Sequence, residues 1–209
     1  AASSLNSKID QGALSIIVPG GKTPKLFFEH LNNTNLNLSN ISFILSDERL
    51  VNSNHEASNY KLIYDSIIKN RATQYRPEII PDMKKYDKSN INNFISETNI
   101  KVKRKLPVDI AFLGLGSDGH TASLFSDDEN YENENPYYFI DKKLGYDRIT
   151  LSMKLLIDIK NINFLVSGST KKNALLELLK EKSEKRISPA KYLIDKSSGE
   201  INIYSDIKL

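Results

Sequence analysis

The chain has 209 residues, of which 39% are hydrophobic, and this length suits one globular core rather than two. Its 29 Lys and Arg residues against 26 Asp and Glu residues leave a net charge of +3, and the lysines are scattered, which argues against a dedicated nucleic-acid surface. The lack of cysteine excludes disulfides, thiolate metal sites and a thiol nucleophile.

Membrane and metal signals are missing from the sequence as well. No apolar run approaches the roughly 18 residues that cross a bilayer, and the first residues do not form a signal peptide pattern. No set of histidines and carboxylates has the spacing of metal ligands. We therefore expect a cytoplasmic protein whose residues 1–209 form a single domain, with no membrane or nucleic-acid partner.

Apolar runs alternate with segments of helical period. Runs rich in Ile, Val, Leu and Phe predict strands at Leu14–Val18, Ile41–Leu45, Val108–Leu113, Ile149–Ser152 and Ile162–Ser167, with a short final strand at Ile201–Tyr204. Helices are predicted at Pro24–Leu31, Ala57–Lys69, Ser89–Thr98 and Lys171–Lys182, and loops at 70–87 and 126–147. This order predicts an α/β fold with a mainly parallel central sheet flanked by helices.

Ligands of such folds gather where the strands end, so the residues that follow each strand matter most. The first strand is followed by the turn Gly20-Gly21-Lys22-Thr23 and a proline at the first helical position. A nucleotide-binding P-loop ending here would need a glycine where Ile16 stands, which excludes it. A glycine turn that opens a capped helix still suits an anion, and equally suits an ordinary connection.

The segment GLGSDG at 114–119 matches a dinucleotide-binding pattern after a strand, but it lies mid-chain and the acidic residue expected about 20 positions on would fall in a polar loop. The same glycines present Asp118 and His120 two residues apart. A histidine placed directly after a buried strand, with a carboxylate beside it, is a candidate general base.

Charged side chains follow two further strands and begin a third. The segment Ser46–Arg49 joins two carboxylates and a guanidinium, which suits an ion-pair cluster or an arginine held for a phosphate. Lys171 lies in the first turn of a predicted helix, where a bound anion would offset its unfavourable interaction with the helix dipole. Arg148, at the start of the RITLS strand, is a further candidate cation.

Six segments carry a resemblance to a known family, and they are, in chain order, strand-GGKTP, strand-SDERLV, Ser58-Asn59, strand-LGLGSDGHTASLF, RITLS and strand-SGSTK. With these segments the chain resembles the 6-phosphogluconolactonases from about Leu14 to about Tyr204. DGHTASLF is the most specific element. The related glucosamine-6-phosphate deaminases have a segment closer to DGHIAFNEP and a DEY-type motif, so Thr121–Phe125 and Arg49 favour the lactonase.

The resemblance implies a Rossmann-like layered fold without nicotinamide cofactor or metal. It implies hydrolysis of 6-phospho-D-glucono-1,5-lactone to 6-phosphogluconate, the second step of the oxidative pentose phosphate pathway, by a monomer or weak homodimer. His120 would be the general base, and Asp118 would orient its imidazole or hydrogen-bond the substrate. The residues predicted to bind substrate are Gly20, Gly21, Lys22, Thr23, Asp47, Arg49, Asn59, Gly116, Arg148 and Lys171.

Within that set, we expect Arg49, Lys171 and the first glycine turn to hold the substrate phosphate, and backbone N–H groups around Gly114–Gly116 to be candidate donors for the oxyanion. Three other functions stay open at this point. They are an amino-sugar phosphate deaminase or isomerase on the same scaffold, a non-catalytic phosphosugar sensor, and a dinucleotide-binding oxidoreductase suggested only by GLGSDG.

Overall fold

The computed structural model describes residues 14–21, 24–32, 38–69, 72, 74, 76–128, 133–180 and 188–209. The strands within these residues are β1 (Leu14–Val18), β2 (Ile41–Leu45), β3 (Asp47–Arg49), β4 (Glu78–Ile80), β5 (Ile110–Gly114), β6 (Tyr137–Lys143), β7 (Tyr146–Leu151), β8 (Asn161–Val166) and β9 (Glu200–Ser205). The α-helices are α1 (Lys25–Asn32), α2 (Asn59–Ile63), α3 (Ile91–Lys103), α4 (Met153–Ile157), α5 (Lys172–Leu178) and α6 (Pro189–Lys196). A π-helical turn at Tyr64–Ile68 continues α2, and 3-10 turns occupy Met83–Lys85, Lys88–Asn90 and Ser169–Lys171.

A six-stranded sheet in the order β4-β2-β1-β5-β8-β9 forms the centre of the fold, and all its neighbouring strands are parallel. Every residue of β1 and β2 is buried, because strands of a parallel sheet are covered on both faces. Helix α1 covers part of one face, where the rings of Phe27 and Phe112 have centroids 4.8 Å apart. The predicted mainly parallel α/β fold is confirmed.

A second, antiparallel sheet has the order β3-β7-β6. It is tied to the first sheet through Ser46, whose backbone N–H donates to Val18 and whose carbonyl accepts from the N–H of Leu151. The register of β3 and β7 places Arg49 directly opposite Arg148. This small sheet therefore brings two predicted site residues, about a hundred positions apart in sequence, to one place.

Several predicted boundaries need correction. Residues 70–87 and 126–147 were predicted as loops, yet they contain β4, all of β6 and the start of β7. Strand β6 escapes detection because only its first two residues are buried and its second half is IDKK. Helix α3 extends five residues beyond the predicted end at Thr98, and the predicted helix over 57–69 begins as α2 only after the Ser58 cap. The last predicted helix begins one residue late, as α5, and ends at Leu178.

The carboxyl ends of β1, β2, β5 and β8 lie at one edge of the central sheet, because these neighbouring strands run in the same direction. The glycine turn, the Ser46–Arg49 segment, the 114–120 turn and the Lys171 turn therefore meet there. In the described part of the chain, we find no helix with the length and apolar character needed to cross a membrane.

Candidate active site

A cavity of about 270 Å³ opens at the carboxyl edge of the parallel sheet. We call it the carboxyl-edge cavity. Its lining residues come from six chain segments and are Pro19, Gly20, Gly21, Ser46, Asp47, Arg49, Asn59, Gly114, Leu115, Gly116, His120, Ala122, Leu144, Arg148 and Lys171. Nine of the predicted site residues are in this set, and Asp118 contacts one of them. Lys22 and Thr23 lie outside the described residues.

The first glycine turn is fixed by Asn59. A Cβ on Gly20 would overlap the Asn59 side-chain amide, so only glycine allows this close approach. The same amide donates to the Asp47 carbonyl at 2.8 Å. Asn59 therefore connects the turn after β1 to the strand that carries Asp47 and Arg49.

His120 and Asp118 form a close pair on the turn after β5. The His120 Nδ1 and Asp118 Oδ1 atoms are 2.6 Å apart, and the His120 ring packs on Phe125 with centroids 4.8 Å apart. Burial tends to raise the pKa of Asp118, but the backbone N–H and the ring of His120 outweigh it and lower this pKa below its ordinary value. Asp118 is therefore held as a carboxylate that fixes one nitrogen of the imidazole.

Gly116 makes this geometry possible. A Cβ at this position would overlap the His120 ring, and the Gly116 N–H donates to the His120 carbonyl at 2.8 Å. That N–H is thus engaged within the turn, which removes Gly116 from the backbone donors predicted for an oxyanion. Thr121 closes the turn, since its hydroxyl donates to the Gly114 carbonyl at 2.9 Å.

The two arginines of the cavity have different surroundings. Arg49 donates from NH1 to the Ala57 carbonyl at 2.8 Å, while its buried Nε has no hydrogen-bond partner among the described residues. A buried guanidinium N–H without an acceptor is costly, and an acceptor that enters the cavity would remove that cost. Among the described residues, Arg49 therefore has a buried donor still to satisfy.

Arg148 is held by internal contacts. Its Nε donates to the Lys143 carbonyl at 2.9 Å, and its NH1 lies 3.1 Å from Ser123 Oγ and 3.4 Å from Asp47 Oδ2. Burial lowers the pKa of Arg148, and the negative charge of Asp47 opposes this. Asp47 also accepts the Ser123 hydroxyl at 2.6 Å. The two predicted binding residues Asp47 and Arg148 thus form a buried network that shapes the cavity wall.

Lys171 enters the cavity from the turn between β8 and α5. Partial burial lowers the pKa of Lys171 below its ordinary value, and Asp206 opposes this. The Asp206 carboxylate accepts the Ser167 hydroxyl at 2.7 Å and the Gly168 N–H at 3.1 Å, so it also fixes the turn that precedes Lys171.

Sequence reasoning missed two features of the site. Leu144, at the tip of the β6–β7 hairpin, lines the cavity with its side chain largely exposed and its φ at +52°. The Leu144-Gly145 pair between two apolar-polar segments was the available turn signal, but 126–147 was interpreted as one loop. Glu48 was noted only as a possible ion-pair partner, and it proves to be fully buried.

A parallel sheet with glycine turns and charged side chains at its carboxyl edge defines a Rossmann-like α/β protein, the class in which small-molecule sites lie at this edge. Residues 1–203 match the family described as glucosamine-6-phosphate isomerases/6-phosphogluconolactonase. The chain belongs to this family.

Named relatives agree with that assignment. A 6-phosphogluconolactonase from Helicobacter pylori is 30% identical over 183 residues, which cover 86% of this chain and 78% of the relative. A probable 6-phosphogluconolactonase from Dictyostelium discoideum is 30% identical over 210 residues, covering 96% and 86%. The solved 6-phosphogluconolactonase from Trypanosoma brucei superposes with a TM-score of 0.82 over 98% of this chain and 88% of that one, and at 22% identity it supports the fold.

Proposed function

We propose that this chain hydrolyses 6-phospho-D-glucono-1,5-lactone to 6-phospho-D-gluconate. The observation that carries the proposal is that one cavity holds a carboxylate-bound histidine and, from other strands, an arginine with an unsatisfied buried donor and a lysine. The names of the relatives support the same substrate. A base and a phosphate-binding group in one cavity are what a phosphorylated lactone requires.

His120 is the proposed general base. Asp118 engages Nδ1, so Nε2 is the ring nitrogen left to take a proton from water. The resulting hydroxide attacks C1 of the lactone, and the tetrahedral intermediate collapses with cleavage of the bond between C1 and the ring oxygen. The ring oxygen leaves as the C5 hydroxyl after it receives a proton, which the histidine can return. The reaction consumes one water and needs no nicotinamide cofactor or metal ion.

Arg49, Lys171 and the turn at Gly20–Gly21 form the proposed phosphate subsite. The Arg49 Nε–H supplies a charge-assisted hydrogen bond, and Lys171 adds a second positive charge at the cavity wall. Binding the phosphate, which does not react, places the lactone carbonyl beside His120 and so reduces the entropic part of the barrier. Asp47, Asn59 and Arg148 complete the walls.

We expect this enzyme to act in the cytoplasm as a monomer or weak homodimer. The decisive experiment measures lactone hydrolysis on freshly generated 6-phosphogluconolactone, with the spontaneous ring opening subtracted. Turnover well above that background is expected, together with no release of ammonia from glucosamine 6-phosphate. Binding of 6-phosphogluconate without turnover would instead favour a phosphosugar sensor and refute the enzyme.

A further inference from the structure

Glu48 lies in the middle of β3 with none of its surface exposed, and its carboxylate accepts four hydrogen bonds. Oε1 accepts the backbone N–H groups of Arg49 at 2.6 Å and Asn59 at 2.8 Å. Oε2 accepts the N–H of Tyr60 at 2.6 Å and the Ser58 hydroxyl at 3.1 Å. One buried carboxylate thus joins β3 to the first turn of α2.

The segment that Glu48 holds also holds the side chains of the cavity. Ala57 comes directly before Ser58, and its carbonyl accepts the Arg49 NH1 donor. Asn59 lies against Gly20 and donates to the Asp47 carbonyl. The direction of the Arg49 guanidinium and the shape of the glycine turn therefore depend on where the segment Ala57–Tyr60 lies.

We propose that Glu48 is the positioning residue of the phosphate subsite: its ionised carboxylate fixes Ala57–Tyr60 so that Arg49 and Asn59 are placed for an anionic ligand. The identity of that ligand rests on the proposed function, whereas the placement of Arg49 does not. All four partners of Glu48 are donors. A neutral side chain that carries its own hydrogen leaves one of these donors without an acceptor, and the segment then loses its position.

Protonation converts the Glu48 carboxylate to a neutral side chain within the neutral pH range. Burial raises the pKa of Glu48 to about 7, against the lowering effect of the N–H groups of Tyr60, Asn59 and Arg49. Ligand affinity should therefore decrease as the pH falls through about 7. Among the described residues, the charged or titratable groups around Glu48 and its segment include Asp47, Arg49, Arg148, Tyr60, Tyr137 and His55, and Glu56 and Lys61 flank the segment.

Two of those groups are excluded as the source of the pH response, and a third is controlled by a variant. Burial raises the pKa of Tyr60 to about 12 and that of Tyr137 well above its ordinary value, which takes both away from neutrality. His55 contacts the same segment, since its Nδ1 accepts the Ala57 N–H at 3.0 Å. A His55→Gln variant that keeps the pH response of the wild type separates His55 from Glu48.

The test compares Glu48→Gln with Glu56→Gln, which changes an exposed carboxylate on the same loop. Calorimetry gives the Kd for 6-phosphogluconate at pH 6 and pH 8. We expect the wild type to bind at least tenfold more tightly than Glu48→Gln at pH 8 and less than threefold more tightly at pH 6, with Glu56→Gln equal to the wild type. Titration of the ligand is common to all proteins and cancels in the ratio. A ratio that is the same at both pH values overturns the proposal.

A ligand-free measurement separates this proposal from the proposed function. The Arg49 Nε–H resonance, identified by its loss in Arg49→Lys, should shift with a midpoint near pH 7 in the wild type. Ser58→Ala removes one hydrogen-bond donor to the ionised Glu48 carboxylate and should move that midpoint upward. This variant tests the role of Glu48 even if Glu48→Gln does not fold. No transition, or an unmoved midpoint, refutes the role of Glu48. A normal transition in a protein without lactone turnover refutes only the proposed function.

Discussion

A cavity at the amino edge of the parallel sheet is larger than the carboxyl-edge cavity, yet it is not the candidate site. The amino-edge cavity, of about 430 Å³, is lined by Lys103, Leu106, Pro107, Val108, Glu134, Pro136, Ser152, Lys154, Leu155, Asp158 and Ile159. Its charges lie at the rim, where Lys154 pairs with Glu134 at 2.5 Å. The smaller carboxyl-edge cavity instead gathers a histidine, two arginines and a lysine around glycine turns. Convergent polar groups, and not volume, distinguish a reactive site.

The direction of the strands explains this difference. At their carboxyl ends, parallel strands lead through turns into the following segments, so backbone N–H groups and short glycine loops collect there. At their amino ends the strands are entered from the preceding segments, and here Leu106 and Ile159 come before β5 and β8. The carboxyl edge therefore has the backbone N–H groups and glycine loops that suit an anionic ligand.

The most damaging single change at the carboxyl edge should be His120→Ala. We expect turnover to fall at least about 100-fold, because general-base catalysis contributes about 10² to 10⁴. The Kd for 6-phosphogluconate, measured in parallel, should stay within about threefold, since the phosphate subsite is intact. Turnover near that of the wild type, after subtraction of the spontaneous reaction, would move the chemistry away from His120.

Arg49→Ala should mainly weaken binding. Loss of a charge-assisted hydrogen bond costs about 1.5–3 kcal/mol, which corresponds to about 10- to 100-fold in Kd for 6-phosphogluconate. The matched control is Arg104→Ala, which removes an exposed arginine after α3 near the amino edge and should leave Kd unchanged. If both variants lose affinity equally, the effect is one of net charge and not of the subsite.

Asp118→Asn should lower kcat about tenfold. This loss is at the low end of what a charge-assisted hydrogen bond contributes, because the Asp118 side chain is 61% exposed. The His120 N–H and ring, acting against burial, lower the pKa of Asp118, so its charge is complete throughout the neutral range. This loss should be measured at pH 8, beside the wild type. A kcat equal to that of the wild type would show that the Asp118 carboxylate does not support His120.

The smallest effect is expected at the amino edge. Leu106→Ser changes a side chain that is 46% exposed, so activity should stay within about twofold and the free energy of unfolding within about 0.5 kcal/mol. Steady-state kinetics and thermal unfolding measure both quantities. A tenfold loss of activity without loss of stability would show that the larger cavity also takes part in function.

How far the sequence predicts the structure depends on the kind of contact. Strands β1 and β2 were predicted to the residue, because each is an apolar run with a single serine in it. The sequence also predicted that Arg49, His120 and Lys171 lie close together, because parallel strands end at one edge of a sheet. Their roles in binding and catalysis remain predictions, and Lys22 and Thr23 lie outside the described residues.

Other features depend on contacts that no local pattern encodes. Arg148 was predicted as a candidate cation for the substrate, and its bond to Asp47, 101 positions away, depends on the pairing of β3 with β7. The hairpin tip at Leu144 reaches the cavity because β6 and β7 extend there, and the polar end of β6 conceals that strand. The burial of Glu48 likewise depends on the approach of α2.

The register of β3 and β7 has a consequence for how this protein can be handled. Arg49 and Arg148 face each other directly across the two strands, and like charges in that position destabilise a sheet. An anion in the cavity relieves part of this repulsion, so ligation and folding are thermodynamically linked. A ligand at 100 times its Kd should add about 2.7 kcal/mol to the free energy of unfolding. The melting temperature can thus rank candidate phosphosugars on a thermal-shift plate before any turnover assay is built.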